Sequence, residues 1–233
     1  MESKLRGDAR PARAGGRSRK TLLWLSLATV VVALGVAFAY WIGLLGGNFR
    51  TVIAGRVYRS GQLDPDRLRA EIREHGIRTV LNLQGRDRGE DVHDAEGPVC
   101  ESAGATYIKV PLSAGQLPTP SRIERLVKAL DSAQYPLLIH CRAGADRSGL
   151  VAALYLSLRE GVPPAQAHRT QLTWTKGHFP FQAAAMDRFF DLYQQTSGGL
   201  DLRDWINRSY PEVWARTTGK RERPARDRAA MAR

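Results

Sequence analysis

A cysteine and an arginine stand six positions apart in the segment LLIHCRAGADRSGLVAALYL, residues 137–156. Cys141 follows an apolar run that predicts a buried strand, and the residues from Ser148 to Glu160 predict a helix that stops at Gly161. In this setting the helix points its first backbone N–H groups at whatever lies in the turn. Those groups stabilise a thiolate, and the pattern therefore favours Cys141 as a nucleophile.

The same turn is suited to an oxyanion such as phosphate. The amides of residues 142–147 can donate to phosphate oxygens, and the planar guanidinium of Arg147 can bind two of them at once. Gly144 allows a sharp turn without a side chain in the cradle. A lone cysteine after an apolar strand is ordinarily a small core residue, and it is the arginine at this spacing that indicates an active site. The loop residues predicted to bind substrate are Arg142, Ala143, Gly144 and Ala145.

The segment HCRAGADRSG resembles the His-Cys-x5-Arg-Ser/Thr signature of the cysteine-dependent protein tyrosine and dual-specificity phosphatases. VYRSGQ and GIRTVLNLQG, earlier in the chain, resemble the compact atypical dual-specificity phosphatases of plants, fungi and bacteria. The resemblance covers about residues 56–161 and implies that Cys141 forms a phosphocysteine, which water then hydrolyses. It also implies that Arg147 stabilises the transition state, that Ser148 assists loss of the thiolate, and that His140 binds at the site and orients the cysteine. No metal or organic cofactor is implied.

Several functions remain open at this stage. The first is a phosphatase acting on phosphotyrosine-type proteins, and the second is one acting on a phosphoinositide or other phospholipid. A third is a phosphate-binding pseudophosphatase that docks phosphorylated partners. A rhodanese-like sulfurtransferase also places cysteine between strand and helix, but its loop is shorter and its flanks differ.

The proton donor for the leaving group is not obvious from the sequence. Many of these phosphatases carry an aspartate in a separate loop, whereas the matching segment here, VPLSAGQLPTP, has no acidic residue. The candidates are Asp146, next to the signature arginine, and the acids Asp87, Glu90 and Asp91. The Cys-x4-Asp-Arg pattern also resembles the loops of myotubularin-like and Sac-like phosphoinositide phosphatases. Alternatively, Asp146 pins the loop by accepting backbone N–H groups.

Three other residues could serve the site or the core. His168 and His178 flank Trp174, and the sequence favours a structural or surface role for both histidines over a place in the pocket. Cys100 is the only cysteine besides Cys141, which excludes a disulfide framework. A reversible Cys100–Cys141 bond would shield the nucleophile from oxidation, but a free structural Cys100 is favoured.

The elements around the loop alternate. Four strands, at residues 56–60, 77–83, 106–110 and 136–140, are separated by helices that begin after Asp64 and Thr119 and near Ala95. This order predicts an α/β domain over residues 48–215, with a mostly parallel central sheet flanked by helices, as in protein tyrosine phosphatases. Three more helical segments are predicted, at 163–174, 181–194 and 200–214.

The net charge of +12 lies mainly at the two ends of the chain. A basic arm, residues 1–20, and a basic tail, residues 216–233, each hold seven Lys or Arg and two acids. Because the basic residues do not lie on a folded face, a nucleic-acid partner is not expected. The tail has no apolar periodicity and is predicted to be disordered.

Residues 21–47 contain an uncharged apolar run, Leu22 to Leu45, long enough to cross a membrane as one helix. The run continues past the small residues Ala37 and Ala39, which favours an uncleaved single-pass anchor over a signal peptide. Lys and Arg before it favour a cytoplasmic N-terminus and hence a catalytic domain on the periplasmic or extracytoplasmic side. The membrane is therefore an expected partner.

Overall fold

The computed structural model describes residues 16–45, 47–85 and 96–222, with side chains in the first of these segments described for 21–37. The chain divides into two compact units, Met1–Ile42 and Gly43–Arg233. The helices in the described residues are α1 (Gly16–Leu45), α2 (Pro65–Glu74), α3 (Glu96–Ser102), α4 (Pro120–Ser132), α5 (Asp146–Arg159), α6 (Pro164–Gln171), α7 (Pro180–Thr196), α8 (Leu202–Arg208) and α9 (Tyr210–Thr218). The strands are β1 (Arg50–Ile53), β2 (Val57–Ser60), β3 (Thr79–Gln84), β4 (Thr106–Leu112) and β5 (Leu137–His140).

The N-terminal unit contains α1 as far as Ile42, and large apolar side chains of this helix between Leu22 and Val36 are exposed. Within the described residues, none of the helices combines the length and the hydropathy needed to cross a membrane. The transmembrane helix predicted for residues 21–47 is therefore not confirmed.

The second unit is built on a five-stranded sheet with the order β1-β2-β5-β3-β4. Strand β5 lies at the centre and pairs in parallel with β2 on one side and β3 on the other. Strand β4 is also parallel, whereas β1 pairs antiparallel with β2 at the edge. The prediction of a mostly parallel sheet flanked by helices is confirmed. The sequence did not predict β1, because its four residues are only partly buried and depend on pairing with β2.

The two faces of the sheet carry different helices. Successive strand residues point to opposite faces, and Leu137 and Ile139 pack with residues of α4, α5 and α7–α9, whereas Leu138 packs with residues of α2 and α3. Cys141 belongs to the first cluster and Cys100 to the second, and both are buried free thiols. Burial, followed by the nearby Glu96, raises the pKa of Cys100 to about 12. Cys100 is therefore a structural thiol on the opposite side of the sheet from Cys141.

Helix α5 is buried continuously from Arg147 to Leu156, in keeping with its apolar sequence. It begins at Asp146, two residues before the predicted start at Ser148. Aspartate and serine both favour the first turn of a helix, and the start was therefore ambiguous in sequence. The earlier start places both Asp146 and Arg147 in the first turn of the helix.

The C-terminal helices are joined by aromatic packing. The ring centroid of Phe189 in α7 lies 5.5 Å from Trp205 in α8 and 5.1 Å from Tyr210 in α9. The Tyr210 hydroxyl donates to the Pro118 carbonyl at 2.6 Å, which ties these helices to the loop between β4 and α4.

The single helix predicted for residues 200–214 is in fact two helices, which meet at Ser209. Pro211, in the first turn of α9, has no N–H to continue the preceding helix. Helix α9 runs to Thr218, three residues past the predicted domain end at residue 215. In the predicted tail, Glu222 accepts the backbone N–H of Ser121 at 3.0 Å, and residues 223–233 lie outside the described part of the chain.

Trp205 is fully buried in this aromatic cluster. We expect Trp205→Ala to lower the free energy of unfolding by about 3–5 kcal/mol, because it leaves a large cavity. Denaturant unfolding of the full-length chain followed by far-UV circular dichroism measures the change. The matched control is Trp174→Ala, whose side chain is 65% exposed and whose loss should cost less than about 0.5 kcal/mol. Equal losses in the two variants would contradict this account of the core.

Candidate active site

The predicted site is a tight turn from the end of β5 at His140 to the start of α5 at Asp146. Gly144 has φ +65°, a left-handed conformation that favours glycine. A Cβ atom at this position would lie 2.3 Å from the Gly61 nitrogen. Gly144 is therefore required both for the turn and for its close contact with the segment after β2.

The carbonyl groups of the loop are held from the side of β2 and the residues before β1. The Arg142 carbonyl accepts from the Gln62 amide at 3.1 Å. The Asn48 side-chain amide donates to the carbonyls of Ala143 and Gly144, both at 3.0 Å. Arg59 donates to the carbonyls of Gly144 and Ala145, both at 2.9 Å.

These contacts orient the peptide groups of the loop. The amides of residues 142–145 make no hydrogen bonds to the described residues, while their carbonyls are all engaged. Consecutive amides turned away from engaged carbonyls form a concave anion site. These are the amides of Arg142, Ala143, Gly144 and Ala145, for which phosphate binding is predicted, and in the described residues they have no other partner.

Arg59 is a fully buried arginine in β2. Besides the two loop carbonyls, its guanidinium donates to the Gln171 carbonyl at 2.8 Å. Burial lowers the pKa of Arg59 to about 10, although the nearby Cys141 opposes that shift, and it therefore stays protonated at neutral pH. The sequence analysis missed this role, and the available signal was a charged residue inside a short buried strand, since buried charges need partners.

Asn48 is the second residue that the sequence analysis missed. It is buried with φ 47°, and its amide also donates to the Lys176 carbonyl at 3.1 Å. Its own side-chain oxygen accepts from Arg50 Nε at 2.6 Å. Asn48 thus connects the signature loop to the segment between α6 and α7.

Two of the catalytic side chains predicted by the signature, Cys141 and Ser148, lie together. Cys141 is 2% exposed, and its Sγ lies 3.6 Å from the hydroxyl oxygen of Ser148. Arg147 donates to the Leu112 carbonyl at the end of β4, at 3.3 Å. Ser148 is thus placed to donate to a thiolate, and Arg147 lies beside the strand that precedes the β4–α4 loop.

His140 points to the other face of the sheet. Its Nε2 lies 3.3 Å from Glu96 Oε2, an ion-pair distance without hydrogen-bond geometry. Glu96 also accepts from the Asn82 side chain at 2.7 Å. The structure therefore places His140 below the strand and does not bring its imidazole to the substrate side of the loop, where we predicted that it binds.

Asp146 contacts a histidine and not the backbone of the loop. Asp146 Oδ1 lies 2.7 Å from His178 Nδ1, and His178 Nε2 lies 2.8 Å from Asp187 Oδ2. Asp187 Oδ1 is in turn 2.7 Å from His168 Nε2. Burial opposes the charged form of His178, but the hydrogen bonds to Asp146 and Asp187 outweigh it and raise the pKa of His178.

Of the structural or surface role favoured for His178, this arrangement excludes the surface position. Its side chain is 1% exposed and directly contacts the signature aspartate. His168 lies one step further along the chain of contacts and stacks on Phe190 at 5.0 Å. The other predicted acids, Asp87, Glu90 and Asp91, lie outside the described residues.

Residues 56–161 match the family model described as "Tc-R-P: Polymorphic toxin system, DSP-PTPase phosphatase". The match includes the signature loop and covers less than half of the chain. No curated protein matches this chain.

Several solved structures resemble the chain. A DUF442 protein of Shewanella putrefaciens CN-32, described as a candidate phosphatase, aligns over 64% of this chain and 89% of its own, at 21% identity and a TM-score of 0.51. P. aeruginosa TpbA aligns over 63% of this chain and 84% of its own, at 18% identity and a TM-score of 0.49. The core catalytic domain of the PP-IP phosphatase SIW14 from S. cerevisiae aligns over 71% and 91%, at 18% identity and a TM-score of 0.47.

The Shewanella structure shows a shared fold. The family match, over residues 56–161, supports a phosphatase domain of the DSP-PTPase type. The match ends at residue 161, whereas Gln171, Lys176 and His178 contact the signature loop or the residues that hold it. The segment after the match therefore forms part of the site.

We expect Arg59→Met to weaken binding of vanadate, a phosphate analogue, by about tenfold or more, because two loop carbonyls lose a charged donor and the amides lose their orientation. Inhibition titrations of the full-length chain measure this affinity. Arg56→Met is the matched control, since Arg56 is 45% exposed and pairs with Glu160 at 2.9 Å. Unchanged vanadate affinity in Arg59→Met would contradict the orienting role.

Proposed function

We propose that this protein is a membrane-anchored phosphatase that hydrolyses phosphate monoesters through a phosphocysteine at Cys141, acting on phosphotyrosine-type protein substrates. The observation that carries the proposal is the loop between β5 and α5. It combines a cysteine, an arginine and a row of amides whose carbonyls are all held from behind. An anion cradle next to a nucleophile suits phosphoryl transfer, because that reaction depends mainly on positioning and charge stabilisation.

In the first step, the Cys141 thiolate attacks phosphorus while the bond from phosphorus to the leaving oxygen breaks, and the leaving oxygen takes a proton from solvent. The loop amides and Arg147 stabilise the charge on the three equatorial oxygens. In the second step, water attacks phosphorus, the S–P bond breaks, and its electron pair returns to Cys141. The Ser148 hydroxyl, 3.6 Å from the sulfur, stabilises the returning thiolate.

Two features bear on the substrate class, and they favour different candidates. The match to a dual-specificity-type phosphatase model supports a protein substrate. Asp146 directly before Arg147 is the specific observation that favours the second candidate, a phosphoinositide or other phospholipid. Hydrolysis of either substrate class through a phosphocysteine requires no metal and no organic cofactor.

We expect the full-length chain to hydrolyse para-nitrophenyl phosphate, and Cys141→Ser to reduce turnover by more than about a thousandfold, because the nucleophile is lost. A panel of phosphotyrosine peptides, phosphoinositides and other phospholipids, with Cys141→Ser as the blank, measures the preference. Faster turnover of the lipids would replace the protein assignment. Tight vanadate binding without turnover of any substrate would indicate a pseudophosphatase instead.

The anchor is supported by the uncharged run from Leu22 to Leu45 and by the exposed apolar side chains of α1. Arg17, Arg19 and Lys20 before the run favour a cytoplasmic N-terminus and a catalytic domain on the opposite side. A bilayer position would bring the enzyme close to substrates at the membrane surface.

We expect the chain to remain in the membrane fraction after alkaline washing, and Val30→Asp with Leu34→Asp to release it, since each central charge costs about 2.5–3.5 kcal/mol on insertion. The control is Phe181→Asp, an exposed apolar position in the other unit that should not alter fractionation. Protease digestion of sealed membranes reports the side of the catalytic domain. A chain that is washed off at alkaline pH would refute the anchor.

A further inference from the structure

The row His168–Asp187–His178–Asp146 has no role in the two steps above, although it ends at the signature loop. Its three contacts measure 2.7, 2.8 and 2.7 Å. His168 lies in α6, Asp187 in α7, and His178 just before α7. Three of the four residues therefore come from the chain beyond the family match, which ends at residue 161.

The two partners of His178 bear on how many protons its ring carries. Each ring nitrogen of His178 faces a carboxylate oxygen, Asp146 on one side and Asp187 on the other. A neutral imidazole has one N–H, and its other nitrogen would present a lone pair to a carboxylate oxygen less than 3 Å away. With both carboxyl groups ionised, both nitrogens donate, and His178 is then an imidazolium between two carboxylates. The raised pKa of His178 agrees with this charge state.

This charge state limits what Asp146 can do. Its Oδ1 accepts the N–H of His178, and Oδ2 makes no hydrogen bond to the described residues. The side chain is 22% exposed, whereas His178 is 1% exposed. Asp146 thus has one oxygen held by His178 and the other without a partner in the described residues, and the ionised form that pairs with an imidazolium can accept a proton.

We propose that Asp146 is the base of the second step, and that His178 is a positioning residue that holds it ionised and aimed at the hydrolytic water. This inference rests on the phosphocysteine mechanism proposed above. It assigns Asp146 to the second step and not to protonation of the leaving group in the first step. The missing acid in the β4–α4 loop had suggested that first-step role.

Water forms a bond to phosphorus as one of its protons moves to Asp146 Oδ2, and the S–P bond breaks with its electron pair returning to Cys141. Asp146 then releases the proton to solvent as phosphate leaves. His178 keeps both protons throughout, donating to Asp146 and to Asp187.

The test compares His178→Gln and Asp146→Asn with the unaltered full-length chain on para-nitrophenyl phosphate and phenyl phosphate. We expect kcat to fall by about 10- to 100-fold in His178→Gln, less than the roughly 100- to 10,000-fold typical of losing the acid or base itself, because Asp146 is retained. The ratio kcat/KM, which reports formation of the phosphocysteine, should stay within about threefold for both substrates. Acid-quenched samples should contain more phosphoenzyme in both variants than in the unaltered chain.

The matched control is His168→Gln, which removes a contact to Asp187 but keeps the contact between His178 and Asp146. Its phosphoenzyme level should equal that of the unaltered chain. Vanadate affinity and far-UV circular dichroism identify a variant that has lost its fold. If His178→Gln has lost its fold, Asp146→Asn tests whether Asp146 is the base of the second step, because the Asp146 side chain is partly exposed.

Two results would overturn the inference while leaving the proposed function standing. One is a parallel fall of kcat and kcat/KM that is larger for phenyl phosphate, which would make Asp146 the acid of the first step. The other is an unchanged kcat without added phosphoenzyme in either variant. Absence of any phosphoenzyme in the unaltered chain, with Cys141→Ser equally active, would instead refute the proposed function and this inference with it.

Discussion

The candidate site depends on one constraint: four consecutive carbonyls, from Arg142 to Ala145, must be satisfied from behind the loop. A buried carbonyl without a donor costs about 1–3 kcal/mol, and a loop that met this need with its own amides would have none left for phosphate. Here Asn48, Arg59 and the Gln62 amide supply the donors. The amides are thereby free to bind an anion, and Gly144 is the residue whose conformation makes the turn possible.

The same constraint explains why distant parts of the chain meet at the loop. Arg59 also donates to Gln171, and Asn48 also donates to Lys176, so each donor joins the loop to the segment that follows α5. Burial, followed by the charges of Arg59 and Arg50, lowers the pKa of Lys176 to about 8. The positive groups around the loop thus repel one another, and an anion bound between them would reduce that repulsion.

Much of this could be predicted from sequence, because the relevant signals are local. The apolar run before Cys141 and the apolar helix after it predicted a strand, a loop and a helix in the correct order, and the alternation of elements predicted the parallel sheet. Strand β1 was missed, since four half-buried residues have no pattern of their own. The start of α5 was predicted at Ser148, two residues too late, and the division between α8 and α9 at Ser209 was missed, because residues near helix ends suit several positions.

The sequence by itself determined the residue types of the loop: a cysteine between a strand and a helix, an arginine six positions later, and a glycine where the turn needs one. Only the tertiary structure decided which residues orient these groups. Alternation along β5 turned His140 away from Cys141 and towards Glu96, and packing of α6 and α7 against α5 brought His178 to Asp146. Such contacts join residues more than thirty positions apart, and their energy comes from burial and charge pairing that no local pattern records.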